Sequence, residues 1–332
     1  MVHKNSSNNP EYGFKGRLRK EFPSQINVDI TEKCNHACIH CQHQQFVRST
    51  YYRGFDMEEE INTKLVQEVR KEGRNHTQYL RYSSKGEPLL HPKAYKFLLE
   101  AIHDSGVPVT LTSNGSRVDH GEMKTLFDEG LYLIDISIDA YLSDTYTKIR
   151  VGGHLDKTNE NVKKMIKYRN QGGSKTRIVV SYIEQPLNID ETSRFRTFWE
   201  KQGVDYVVIR RLHSNAGTLE KIADELRLHS TSDTRKPCVY PWERICLNPD
   251  GTLHYCPASW TKGGFIADFH TTSIKGTWKS DQYNELRKAH LNMDFSAFPM
   301  CDRCPDWVNI RWPDEGRSYA DMIEDFSEKK RG

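Results

Sequence analysis

Residues 34–41 read CNHACIHC and place three cysteines, Cys34, Cys38 and Cys41, within eight positions, while the next cysteine along the chain is Cys238. A 4Fe-4S cluster normally takes four thiolates, so three protein thiols leave one iron open to coordinate something else. A structural zinc site instead needs a closed set of four ligands, which here would recruit His36, His40 or His43 from the same loop. Spacing alone leaves both readings standing.

A second set lies in the last third of the chain. The stretch CVYPWERICLNPDGTLHYC puts Cys238 and Cys256 at the two ends of an apolar segment interrupted by the turn NPDG. That pattern predicts a β-hairpin with a cysteine near each end. CDRC then adds Cys301 and Cys304, giving four thiols that would close either an iron-sulfur cluster or a zinc ribbon. Cys246 is left over. In ERICL, Ile245 and Leu247 share one strand face and Cys246 takes the other. It suits a small buried apolar role, or a thiol that returns a hydrogen atom to a substrate radical.

The elements that must hold these residues alternate in type. INVDIT (26–31) is a β-branched strand candidate, followed after the cysteine loop by helical spacing in MEEEINTKLVQEVRKEG. TQYLRYS, PVTLTS, LYLIDISID, RIVVSYIE and DYVVIRR supply five more strands, with helical patterns between them, near 158–171 and 190–202 among others. Six alternations without tight hairpin signals predict an α/β architecture, a parallel sheet with helices outside and chemistry at the strands' C-terminal ends. The first strand runs into Cys34, and the next three end in SSKGEP, TSNG and SID.

The 332 residues exceed one ordinary core, so a large domain plus a smaller one is expected. Forty-eight basic and 45 acidic residues give a net charge of +3 without a concentrated Lys/Arg block, so no nucleic-acid partner is expected. No run approaches the apolar length of a membrane span, and MVHKNSSNNPEYG is too polar for an export signal. No membrane partner and a cytoplasmic location are expected, and eight cysteines in such a chain suit metal ligands better than disulfides.

Cys34-x3-Cys38-x2-Cys41 after a strand, with Gly86-Glu87-Pro88 after the next, resembles the radical S-adenosylmethionine superfamily. The resemblance implies a partial (β/α)6 TIM-like barrel whose three-cysteine 4Fe-4S cluster binds S-adenosyl-L-methionine and cleaves it to a 5'-deoxyadenosyl radical. It implies that Glu87 accepts a hydrogen bond from the cofactor's ammonium group, although Lys85 stands where the commoner loop has a second glycine. Ser137 and Asp139 take the place of ribose-binding residues. Arg150 resembles an arginine that pairs with the cofactor carboxylate, and would otherwise be a surface helix-cap residue. His40 stands where relatives carry a ring beside the adenine, and would otherwise be an exposed loop residue. An external one-electron reductant of flavodoxin or ferredoxin type is implied as partner.

Cys238, Pro241-Trp242, Asp250-Gly251 with Cys256, and the late Cys301-x2-Cys304 resemble the SPASM auxiliary-cluster region. A full SPASM region carries seven cysteines; five here imply the shorter twitch form, a hairpin plus helix around a second 4Fe-4S cluster with four cysteine ligands. The expected domains are an arm (1–23), the barrel (24–215), the twitch region (216–312) and a charged tail (313–332). The arm is too short for a peptide-recognition domain. Twitch-bearing members act on small polyhydroxylated molecules, so the expected reaction is oxidation of a secondary alcohol in a sugar, cyclitol or nucleoside, with the second cluster as electron acceptor. Epimerisation, decarboxylation and peptide or sulfatase maturation are the alternatives. Glu184 and His213 are candidates to take the hydroxyl proton, with Cys246 as the hydrogen donor an epimerase would need. Arg210 and Arg211 are candidates to clamp a substrate anion, at most one of them pointing inward.

Overall fold

The computed structural model describes residues 20–308 except 84, 229–234 and 262. Most of the expected arm and all of the tail from 313 lie outside these residues. Phe22, at the end of the arm, is fully buried in the core, so the globular part begins slightly earlier than the strand pattern implies.

β-Branched and aromatic runs form six parallel strands: β1 (Gln25–Asp29), β2 (Tyr79–Ser83), β3 (Val109–Ser113), β4 (Leu133–Ser137), β5 (Arg177–Glu184) and β6 (Tyr206–Arg211). They neighbour one another in sequence order, as right-handed strand-helix-strand units require. Connecting segments carry α1 (His43–Val47), α2 (Glu59–Glu68), α3 (Ala94–Asp104), α4 (His120–Asp128), α5 (Ser143–Ile149), α6 (Leu155–Gly172) and α7 (Thr192–Gln202). The Asp119 carboxylate caps α4 by accepting from the Gly121 and Glu122 amides at 2.9 and 3.1 Å.

Alternation along the strands sorts their side chains into two environments. One face is apolar: Ile26, Val28, Leu80, Leu111, Ile134 and Val180 pack with residues of the helices in a single core. Each such buried side chain contributes about 1.5–3 kcal/mol relative to exposure. The other face has a small apolar floor of Tyr79, Leu133 and Val179. Nearer the strands' C-terminal ends this inner face turns polar, with Asp29, Arg81, Asp135 and Arg210 lining a cavity.

After β6 come α8 (Glu220–Leu228) and α9 (Tyr240–Glu243), then β7 (Arg244–Leu247), β8 (Thr252–His254) and β9 (Phe265–Asp268). The expected hairpin forms between β7 and β8, but it does not stand apart. β7 pairs in parallel with β1, in register from Gln25 opposite Arg244 to Val28 opposite Leu247, so one nine-stranded sheet runs through both halves. α10 (Ile274–Trp278), α11 (Asp281–Asn292) and α12 (Pro299–Arg303) complete the described chain. Glu68 of α2 reaches across to accept from the Ile274 and Lys275 amides at 3.0 and 2.9 Å, tying α10 to the barrel. The result is an α/β partial barrel with a C-terminal extension closing one end of its polar interior.

Candidate functional site

Both cysteine sets open onto the same cavity of about 800 Å³. Cys34, Cys38 and Cys41 line it from the loop after β1; Cys238, Cys256, Cys301 and Cys304 line it from the C-terminal half. Backbone bonds pin the first loop against the end of α5: the Ala37 amide donates to Val151 at 2.7 Å and the Ile39 amide to Ile149 at 3.0 Å. Burial pushes the Cys34 and Cys41 thiols up to about 12. Protein alone therefore keeps these thiols neutral, and a metal centre would have to displace their protons as it binds.

The three loop histidines do not complete a zinc knuckle. His43 shares a hydrogen bond with the Glu32 carbonyl at 2.8 Å, and His40 lies 3.4 Å from both Asp139 and Gln185. His36 is buried, with neither ring nitrogen bonded among the described residues. Among the described residues no three His, Cys, Asp or Glu side chains converge on a single-ion site. Three thiols beside an open cavity suit a three-ligand cluster, whose fourth iron needs room for an outside ligand. In the second set, burial pushes each of the four thiols up, and the other three cysteines add to that effect at Cys238. All four line the same cavity, and four thiolates are the number that closes a cluster completely.

Glu87 sits against the first set. Its carboxylate accepts from Ser113 Oγ at 2.7 Å, the Asn114 amide at 2.7 Å and the Leu89 amide at 3.2 Å. Burial nevertheless raises its pKa, outweighing those bonds. Gly86 has a steric purpose: a Cβ there would fall 2.0 Å from the Lys33 carbonyl oxygen, so only glycine lets this loop lie against the cysteine loop. The Glu87 amide donates to that same oxygen at 2.7 Å.

Ser137 lines the cavity at the end of β4, but Asp139 does not. Asp139 is fully buried with φ of 62°, and its carboxylate accepts from Arg150 Nε at 2.8 Å and the Ile183 amide at 2.7 Å. The expected contact of Asp139 with a ribose is therefore not available at the wall; it orients Arg150 instead. Arg150 is buried and lines the cavity, not a surface cap. Burial lowers the His40 pKa to about 4, so its ring is neutral at pH 7.

On β6, Arg210 Nη2 donates to Asp135 at 2.7 Å and Ser181 Oγ at 3.2 Å. Arg211 is exposed yet also reaches the wall, because a long side chain at a strand's end escapes strict alternation. His213 lines the cavity just beyond. Glu184 does not: it follows the inward-facing Ile183 and takes the opposite face. Cys246 is buried on the same sheet face as the lining residue Asn27, its register partner on β1, with His254 opposite it on β8, and does not itself reach the cavity surface. Sequence reasoning missed Asp29 and Arg81, and gave Lys85 no role in the cavity. The available signal was polar residues at alternate positions of an otherwise β-branched strand, Asn27 and Asp29 in INVDIT.

Comparison with known proteins agrees with this geometry. Residues 28–195 match the radical SAM superfamily, and residues 238–305 match the SPASM iron-sulfur cluster-binding domain. An uncharacterized protein of Methanocaldococcus jannaschii is 29% identical over 143 residues, 43% of each chain. A GTP 3',8-cyclase of Pelotomaculum thermopropionicum is 28% identical over 145 residues, 42% of each chain. The matched segment thus spans less than half the length of these relatives. BtrN, in a structure with AdoMet and 2-DOIA, superposes with a TM-score of 0.56 at 15% identity, covering 85% of this chain and 92% of BtrN. With a matching barrel, a matching auxiliary region and three thiols at the barrel's open end, the chain belongs to the radical SAM superfamily and carries a SPASM domain, which together imply S-adenosylmethionine and iron-sulfur clusters.

Proposed function

We propose that this protein takes a hydrogen atom from a small polyhydroxylated molecule, a sugar, cyclitol or nucleoside, and oxidises one of its secondary alcohols to a ketone. The observation that carries this reading is the single cavity shared by both cysteine sets, since a substrate held there lies against both. When bound, a cluster on Cys34, Cys38 and Cys41 with S-adenosylmethionine supplies hydrogen-atom abstraction, and a second cluster on Cys238, Cys256, Cys301 and Cys304, of the single-cluster twitch kind, supplies an electron acceptor. Glu87 would receive the cofactor's ammonium group and Arg150 its carboxylate, with Ser137 and His40 facing the nucleoside part. Arg210, held by Asp135 and Ser181, presents a fixed guanidinium suited to substrate oxygens. Electrons would enter from an external flavodoxin- or ferredoxin-type protein.

Two further facts support the choice. BtrN, which shares the fold, was captured with 2-DOIA, and the relatives named GTP 3',8-cyclase keep a nucleoside within the substrate class. Hydrogen return from Cys246 is the weaker alternative, because its thiol, on the inner sheet face beside Asn27, is buried and does not reach the cavity surface. Among the described residues no helix is long and apolar enough to cross a membrane. The test is deuterium transfer into 5'-deoxyadenosine from C-deuterated hexoses, inositols and nucleosides. Transfer accompanied by a ketone product is expected; transfer with no net oxidation, or none from any of them, overturns the reading.

A further inference from the structure

We propose that Asp29 is the general base of this site, taking the proton of the substrate hydroxyl while the Lys85 ammonium holds the charge left on oxygen. The proposal rests on the alcohol oxidation argued above and identifies the residue that completes it.

Five acids line the cavity, and four are already engaged. Glu87 accepts from Ser113, Asn114 and Leu89; Asp135 accepts from Arg210 and Ser181. Glu243 is paired with Arg244, and Asp306 accepts from Ser214 and Ala216. The fifth is Asp29, the last residue of β1, 7% exposed and without a hydrogen bond or close ion pair among the described residues. Lys85 lines the same cavity, also 7% exposed, and its ammonium, without a hydrogen-bond partner among the described residues, lies 5.4 Å from the Phe46 ring. A carboxylate and an ammonium, each more than nine-tenths buried and each left unpaired toward a cavity, form a receptor for a group that both donates a proton and then carries negative charge.

Charged and titratable groups act on Asp29 from several elements. Lys85 from the loop after β2 and Arg81 from β2 favour its ionised form, Glu32 opposes it, and the Cys246 thiol of β7 is kept neutral by its own burial. Desolvation outweighs the two cations and raises the Asp29 carboxyl to about 7. A base works best with a pKa near the operating pH, and a carbinol that has lost a hydrogen atom from carbon gives up its hydroxyl proton far more readily than the parent alcohol. In the step, the substrate O–H bond breaks, its proton forms the O–H bond of the carboxylic acid, and the electron pair stays on the substrate oxygen beside Lys85. Total charge is unchanged, and no oxidant is consumed in this step. Glu184 cannot take the role because it is off the wall, and His213, which lines the cavity on the loop beyond β6, is the rival that a His213→Gln variant separates from Asp29.

The deciding experiment is pH-difference infrared spectroscopy of the reconstituted, substrate-free enzyme with aspartate isotopically labelled at the side-chain carboxyl. A labelled carboxylic-acid band that titrates between about pH 6 and about pH 8 is expected, absent in Asp29→Asn and moved to higher pH in Lys85→Met, since removing a cation favours the protonated acid. No such band, or one that persists in Asp29→Asn, overturns the proposal. Should Asp29→Asn fail to fold, an unmoved midpoint in Lys85→Met overturns it equally. With the deuterated hexoses, inositols and nucleosides, Asp29→Asn should keep deuterium transfer while ketone per 5'-deoxyadenosine falls by about 100-fold. A wild-type ratio in that variant, or the same uncoupling caused by His213→Gln in its place, defeats Asp29 as base. Absence of deuterium transfer in the wild-type enzyme defeats the functional reading instead.

Discussion

Asp139 and Arg150 form a buried ion pair in which an aspartate off the cavity wall orients an arginine that lines it. The pair is buried, the aspartate holds a left-handed backbone conformation, and its second oxygen is fixed by the Ile183 amide. Asp139→Ala leaves the Arg150 charge buried and unpaired, and should cost about 3–5 kcal/mol in chemical denaturation of the purified protein. Asp29 behaves oppositely. Its folded-state carboxyl titrates at about 7 against the usual 3.8, so the native state binds the proton more tightly than the unfolded chain. Stability attributable to this group is full below about pH 4 and is lost as pH rises through about 7. Asp29→Asn should therefore gain stability relative to wild type across that window, read as a growing difference in denaturation midpoint. An equal difference at both ends of the window contradicts the buried, unpaired placement.

At the scale of elements, the strands were largely legible and their joins were not. INVDIT forms β1 and the pattern near 158–171 forms α6, because hydrophobic periodicity is a local property. The pairing of β7 with β1 joins residues more than two hundred positions apart, and no local pattern encodes it. That pairing puts the second cysteine set over the first. The same holds for the contact between the two loops: the Gly86-Glu87-Pro88 motif was visible, but the reason for its glycine is the Lys33 carbonyl. Gly86→Ala must push the loops apart by more than a bond length, costing about 1–3 kcal/mol. It should also lower the iron retained per chain after reconstitution, since the displaced loop carries Cys34. Full iron content in a folded Gly86→Ala protein would show that the close approach does not shape the cluster site.

Over the whole molecule, the motifs singled out seven cysteines, and the fold decided what stands between them. Cys34, Cys38, Cys41 and the four later cysteines line one cavity, a juxtaposition their spacing did not foretell. Glu184 fell away because strand alternation turned it from the wall, and Cys246 lies on the inner face short of the cavity surface, while Asp29 and Lys85 emerged because burial at a cavity wall exists only in three dimensions. The account depends most on there being two independent metal sites on that cavity. The direct measurement is iron and sulfide content, after anaerobic reconstitution, of the variant with Cys34, Cys38 and Cys41 all changed to alanine. About four irons per chain with cluster absorbance are predicted to remain on the second set. Tightly bound zinc with no iron would contradict the account, leaving the C-terminal half a structural ribbon and the proposed oxidation without its electron acceptor.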